Sequence, residues 1–329
     1  MLLRALARVA IGCAALSFAA PAALAQAGTA PLDAKAWLSR IHDAASLRNY
    51  QGTMVLSAGG TMSSSRIAHF CDGSQRFERS EMLDGQMRKV FRHNELVTTL
   101  WPADKVALVE QREATVAFPA LLQSSLEPIF ERYDLRAEGM DRVAGHAAQV
   151  LLLQPRDAWR FAQRLWSEKV SGLLLRADTL AADGRVLESA AFSEITIGVR
   201  SQPETVVQPM KRLDGYRVVR SASTRTQLDA EGWAIKSALP AGFRAVSCVK
   251  RPPGISGGNE TLQAIYSDGL THVSLFIEPF NPEHHKPMAA AIGATHTLML
   301  RHTDWWVTVV GDVPMPTLKV FAAALERKR

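Results

Sequence analysis

The chain is poor in cysteine and in long apolar runs. Three cysteines in 329 residues, with no C-x-x-C pair, exclude thiol-redox chemistry and a cysteine-rich zinc site. Beyond its first 25 residues no stretch approaches the ~20 apolar residues that a membrane-crossing helix needs. A phosphate-binding G-x-x-x-x-G-K-S/T loop, an H-E-x-x-H metalloprotease helix and a G-x-G-x-x-G dinucleotide turn are all missing. The surplus of 38 Lys and Arg over 32 Asp and Glu is small and scattered, which argues against nucleic acid as a partner. What is present is ordinary globular composition: 47% hydrophobic, 21% charged and 7% aromatic residues, at a length that usually means two domains.

Residues 1–25 read as a secretory leader. Arg4 and Arg8 precede an apolar run from Val9 to Ala20, followed by Pro21 and by Ala23-Leu24-Ala25, an A-x-A cleavage site before Gln26. Gly12, Cys13, Ser17 and Pro21 interrupt the run too early for a membrane anchor, so the expected location is the periplasm. Loss of Arg4 and Arg8 brings the net charge from +6 to +4. Cleavage also leaves Cys71 and Cys248 as an even pair in an oxidising compartment, and a disulfide between them would close a loop of well over a hundred residues. The alternative, two thiols that never meet, is favoured because disulfide frameworks use more cysteines than this.

Periodicity predicts an amphipathic helix from Asp33 to about Arg48, with Asp33 as N-cap and Trp37, Leu38, Ile41, Ala44 and Ala45 on one face. Short strands follow at Thr53–Ala58, Arg66–Cys71, Arg76–Leu83, Met87–Arg92, Leu96–Trp101 and Val106–Val109. Asp72-Gly73 and Asp84-Gly85 are hairpin signals, since glycine accepts the positive φ of tight turns. From Phe118 to Phe130 alternation is lost and a helix or covering loop is expected. Strands resume at Gln149–Leu153, Phe161–Trp166, Leu173–Leu180 and Leu187–Ile197, with apolar runs such as Val150 to Leu153 richer than a one-sided sheet requires. Residues 199–215 hold Pro203 and Pro209 without a persistent period and read as a linker. Further strands are expected at Arg217–Ser221, Phe243–Lys250, Thr261–Tyr266, Val273–Ile277, Thr295–Arg301 and Trp305–Val310, with Asp268-Gly269 as a turn. A closing helix carries Leu318, Phe321, Ala322 and Leu325 behind Pro316.

No group of residues reads as catalytic, and no cofactor is implied. His284-His285 is the nearest approach to a metal cluster, but adjacent residues on an extended chain point to opposite faces, so solvated histidines are the expectation. Arg76, Arg79, Arg88 and Arg92 surround the Asp84-Gly85 turn and are candidates for an anionic lipid head group; their competing role is cross-strand pairing with Glu78, Glu81 and Glu95. Trp305 and Trp306 must face opposite sides of a strand, and the outward ring is a candidate partner anchor.

The order of several short strings resembles the RseB/MucB family of sigma-E regulatory proteins. They are Asn49-Tyr50-Gln51-Gly52, His69-Phe70-Cys71-Asp72-Gly73, Leu83-Asp84-Gly85, Asp141-Arg142-Val143-Ala144-Gly145 and Arg164-Leu165-Trp166, then Leu239-Pro240-Ala241-Gly242-Phe243, Tyr266-Ser267-Asp268-Gly269-Leu270, Val273 to Pro279 and Val307 to Pro314. The resemblance implies an α+β protein: a LolA/LolB-like half-open antiparallel β-barrel covering helices at residues 26–198, a linker at 199–215, and a smaller α+β domain at 216–329. It implies a non-enzymatic negative regulator that binds the periplasmic segment of an RseA/MucA-type anti-sigma factor, shields it from the site-1 protease, and senses mislocalised lipopolysaccharide or lipoprotein. A homo-oligomer is left open, and a LolA-like lipoprotein carrier is the alternative reading.

Overall fold

A computed structural model describes residues 33–111, 118, 122, 126–253 and 258–328. The leader expected at 1–25, its cleavage site and Pro119 lie outside the described residues.

The chain opens with α1 (Ala34–Leu47), and the Asp33 carboxylate accepts hydrogen bonds from the Lys35 and Ala36 amides, as the cap reading expects. Its buried face is Trp37, Leu38, Ile41, Ala44 and Ala45, the predicted stripe. Each such large apolar side chain, once fully buried, contributes roughly 1.5–3 kcal/mol. Then come β1 (Tyr50–Ala58), β2 (Thr61–Asp72), β3 (Gln75–Met82), β4 (Lys89–His93), β5 (Leu96–Trp101) and β6 (Val106–Gln111). They are followed by α2 (Glu127–Arg132), β7 (Tyr133–Val143), β8 (His146–Pro155), β9 (Ala162–Glu168), β10 (Leu174–Leu180) and β11 (Val186–Ile197). After α3 (Glu204–Lys211) come β12 (Arg217–Ser221), β13 (Thr224–Arg225), β14 (Trp233–Ile235), β15 (Arg244–Arg251), β16 (Thr261–Ser267), β17 (His272–Pro279), β18 (Met288–Ile292), β19 (Thr295–His302) and β20 (Trp305–Gly311). The chain closes with α4 (Met315–Ala324) and β21 (Leu325–Arg327).

Twelve strands form one open sheet in the order β12-β6-β5-β4-β3-β2-β1-β11-β10-β9-β8-β7. All neighbours are antiparallel except β12, which runs parallel to β6. The sheet does not close, so β7 and β12 are edges, as a half-open barrel requires. β1 and β11 approach each other very closely at Gly52: a Cβ there would stand 2.2 Å from the Glu194 carbonyl oxygen, so only glycine fits. α1 packs near β7 and β10, and the Trp37 indole donates to the Ser167 hydroxyl on β9. β8 buries Val150, Leu151 and Leu153, which lie on both of its faces, explaining a run too apolar for a one-sided sheet.

The second sheet has seven strands, β13-β15-β16-β17-β20-β19-β18. One of its faces carries Leu275, Ile277, Val307 and Val309, packed on Leu318 and Phe321 of α4. β14 and β21 pair with each other beside it.

Three expectations need correction. Arg217–Ser221 joins the first sheet as its parallel edge, because its backbone completes the open side of β6. Residues 204–211 are helical: Val206 is fully buried against Phe70, Phe77 and Phe91, with Val207, Met210 and Leu213 beside it, an i, i+1, i+4, i+7 pattern masked by the two prolines. Asp84-Gly85 does not make a two-residue turn. It belongs to the loop at 83–88, where the Asp84 carboxylate accepts hydrogen bonds from both the amide and the hydroxyl of Ser64 on β2. Cys71 on β2 and Cys248 on β15 sit in different sheets as free thiols, the arrangement favoured from the sequence.

Candidate functional site

The two sheets meet at a buried polar joint. Asp268, in the turn between β16 and β17, is read from sequence as a simple hairpin residue. In the structure it is inserted against the first sheet. Its Oδ1 accepts from the Leu270 and Thr271 amides at 3.0 and 2.9 Å, which fixes the turn. Its Oδ2 accepts from the Tyr133 hydroxyl at 3.0 Å and from Arg160 Nε at 2.5 Å. Arg160, from the loop between β8 and β9, also donates to Asp157 and to the Ala241 carbonyl, and its guanidinium lies over the Phe243 ring, 4.9 Å from the centroid. The Thr317 hydroxyl of α4 donates to the Trp159 carbonyl at 2.9 Å.

Burial strongly disfavours the Tyr133 phenolate and the neighbouring Asp268 charge adds to this, so the phenol stays protonated well above its ordinary value. For Arg160, burial works against the charge, but Asp268 and Asp157 outweigh it and hold the guanidinium more firmly protonated than usual. A charged pair in which each guanidinium nitrogen has a partner ties the two sheets in one docking. Around it, Phe161 meets His296 edge-on at 5.7 Å. Gly293, in the β18–β19 turn, abuts Ala58 at the β1 end. Sequence reasoning missed Tyr133 and Arg160, and nothing local marks either as special.

The four arginines singled out from the sequence do not form one cluster. Alternation along β3 and its pairing with β4 put Arg76 and Arg92 on one face, and Arg79 on the other. Arg92 pairs with Glu78 at 3.4 Å, beside His69 stacked on Tyr50. Arg88 is exposed in the loop before β4. Glu81 is engaged by Lys89 at 2.9 Å and approached by Arg66 at 4.0 Å. Cross-strand pairing thus accounts for part of the set, while Arg79 makes no hydrogen bond or ion pair among the described residues.

Trp305 and Trp306 face opposite sides of β20; Trp305 is half-buried and Trp306 is buried. Trp305 meets Trp233 edge-on at 5.7 Å under the Arg327 guanidinium. Trp306 is buried beneath His285, whose ring is stacked on it at 4.7 Å, and beside Phe280. Trp306, being buried, offers no free anchor. His285 also approaches Glu278 at 3.6 Å, so it is an aromatic lid with one acidic neighbour. Among the described residues no group of three or more His, Cys, Asp and Glu side chains is placed to hold a metal ion, and no helix is long and apolar enough to cross a membrane.

Comparison with known proteins follows the same two-part division. The MucB/RseB N-terminal domain matches residues 33–210 and the MucB/RseB C-terminal domain matches residues 227–326. The sigma factor AlgU regulatory protein MucB of Pseudomonas aeruginosa is 30% identical over 311 residues, covering 92% of this chain and 93% of that protein. The sigma-E factor regulatory protein RseB of Escherichia coli K12 is 23% identical over 287 residues, covering 87% and 88%. Among solved structures, the Pseudomonas aeruginosa MucA/MucB complex includes a chain that is 26% identical, with a TM-score of 0.68 over 91% of this chain and all of that one. Both domains matched in order, together with a 30% identical relative spanning almost the full length, establish that the chain belongs to the MucB/RseB family.

Proposed function

We propose that this protein is a periplasmic negative regulator of a sigma-E-type envelope-stress response. It binds the periplasmic segment of a MucA/RseA-type anti-sigma factor, shields that segment from site-1 proteolysis, and releases it when mislocalised lipopolysaccharide or lipoprotein occupies the regulator. The observation that carries this reading is the likeness to MucB, a protein solved in complex with periplasmic MucA, over both sheets together. A carrier of lipoproteins would need only the first, half-open sheet; the Asp268–Arg160 joint ties a second sheet to it, as a two-part binding protein requires. Apolar strands in an open sheet suit acyl chains, which gain roughly 0.8 kcal/mol per buried methylene.

The test uses the full secreted chain and the periplasmic segment of its own organism's anti-sigma factor. The chain is expected to bind the segment and to slow its cleavage by the site-1 protease. Lipopolysaccharide or an acylated peptide is expected to weaken that complex by about 1–3 kcal/mol, and the segment must weaken lipid binding by the same factor. Absence of any protection at saturating protein overturns the regulatory reading. Unchanged affinity at saturating lipid removes the sensing step alone.

A further inference from the structure

The register of the first sheet lines up two adjacent rows of side chains on the face that α3 partly covers. One row runs Thr196, Gln51, Ala68, Arg79 and Phe91 across β11, β1, β2, β3 and β4. The next runs Glu194, Thr53, Arg66, Glu81 and Lys89 across the same strands. Ala68, buried and only one carbon long, stands between Gln51 and Arg79, so the first row has a depression where its neighbours are long. The result is a hollow of about 320 Å³ bounded by Gln51, Arg66, Arg79, Glu194 and Thr196. A second hollow of about 170 Å³ shares Arg66 and Arg79 and continues to Thr205 and Pro209 of α3.

The polar groups that line the first hollow are largely uncommitted. Arg79 has no hydrogen bond or ion pair, and the side chains of Gln51 and Thr196 make no hydrogen bond among the described residues. Arg66 has only Glu81, at 4.0 Å, and Glu81 is already neutralised by Lys89 at 2.9 Å. Glu194 at the far rim is held at 3.4 Å by the Thr53 hydroxyl. Two guanidinium groups, diagonal to each other on one face, with amide and hydroxyl donors opposite, are the donor set that a tetrahedral oxyanion takes.

We propose that the Arg66–Arg79 hollow is a binding site for a phosphate-type oxyanion. Glu194 repels additional negative charge, so the bound group presents a hydroxyl or other donor to that rim. The site lies on the opposite face from Arg76 and Arg92, and it does not depend on the regulatory reading.

The test titrates the full chain with inorganic phosphate at low chloride, by calorimetry and by phosphorus NMR line broadening. The native chain is expected to bind saturably, and Arg66→Gln and Arg79→Gln each to weaken binding about tenfold, the scale of one charge-assisted contact pair. Arg76→Gln, on the other face, is expected to bind as the native chain does, and Glu194→Gln more tightly. Thermal midpoints show that each variant remains folded. Co-sedimentation with phosphatidylglycerol vesicles, against phosphatidylcholine alone, separates the two sources: loss in both arginine variants assigns the site to a lipid head group, and vesicle binding indifferent to them assigns it to soluble phosphates. Absence of saturable phosphate binding, or native affinity retained in both arginine variants, overturns the proposal.

Discussion

Asp268 and Arg160, 108 positions apart, form an ion pair in which both side chains are fully buried. They belong to different sheets, so the pair is a joint rather than a brace within one element. Its environment makes it unforgiving. Removing Arg160 leaves the Asp268 carboxylate buried without a counter-ion, whereas removing Asp268 leaves Arg160 with Asp157 alone.

Arg160→Ala is therefore expected to cost about 3–5 kcal/mol of stability, with the Asp268 carboxylate left buried without a counter-ion. Replacing both partners by apolar residues of similar volume is expected to recover much of that loss while loosening how the sheets dock. Denaturant unfolding measures the first effect, and limited proteolysis between the sheets the second. A single-residue cost below about 1 kcal/mol would show that water reaches the joint.

Gly52→Ala is expected to destabilise by about 3 kcal/mol or more, because the new methyl meets the Glu194 carbonyl oxygen, which is backbone and cannot swing away. Gly145→Ala, where the added carbon meets nothing within 4 Å, isolates the cost of a positive φ alone. Comparable losses for the two would contradict the close-approach argument.

His296 gives the acid limb of stability. Burial holds it below its ordinary value of 6.5, against Asp312 and a backbone hydrogen bond at Val313, and its Nδ1 is buried without a partner. The unfolded chain then takes up a proton more readily than the folded one. The stability contribution present above pH 6.5 is thus lost as pH falls through the folded value. Glu188 has the opposite sign: burial and then Asp312 raise it above 4.5, so acid relieves its penalty. His296→Gln is expected to flatten the fall in thermal midpoint between about pH 7 and pH 5, and Glu188→Gln to steepen it. Parallel profiles for native and His296→Gln chains would remove the histidine from the account.

Cys71 and Cys248 are expected to react as thiols. Burial pushes the Cys71 and Cys248 thiols above their ordinary value, so each reacts slowly in the folded chain and promptly once unfolded. Alkylation in denaturant without reductant, followed by mass spectrometry, is expected to label both; failure to label either would mean that they are oxidised.

Local pattern was a sound guide wherever an element's own residues decided its state. The α1 stripe and its Asp33 cap, β5 at Leu96–Trp101 and the proline at the start of α4 all follow from periods and caps visible in the chain. The same alternation parts Arg76 from Arg79, an odd offset along a strand meaning opposite faces, against their grouping as one candidate set. β7 was missed because both of its faces are largely exposed and charged, leaving no alternation to read.

The sequence by itself determined α1, α4 and most of the strands of the two sheets, the missing enzyme signatures and, through the order of its motifs, the MucB/RseB family. Tertiary structure alone decided that Arg217–Ser221 completes the first sheet, that α3 covers Phe70 and Phe77, that Asp268 is buried on Arg160 and Tyr133, and that Arg66 and Arg79 line one hollow. The physical reason is common to all four. Periodicity reports which face of an element is apolar or charged, but the partner of that face comes from residues tens to hundreds of positions away, and only the folded register brings them together.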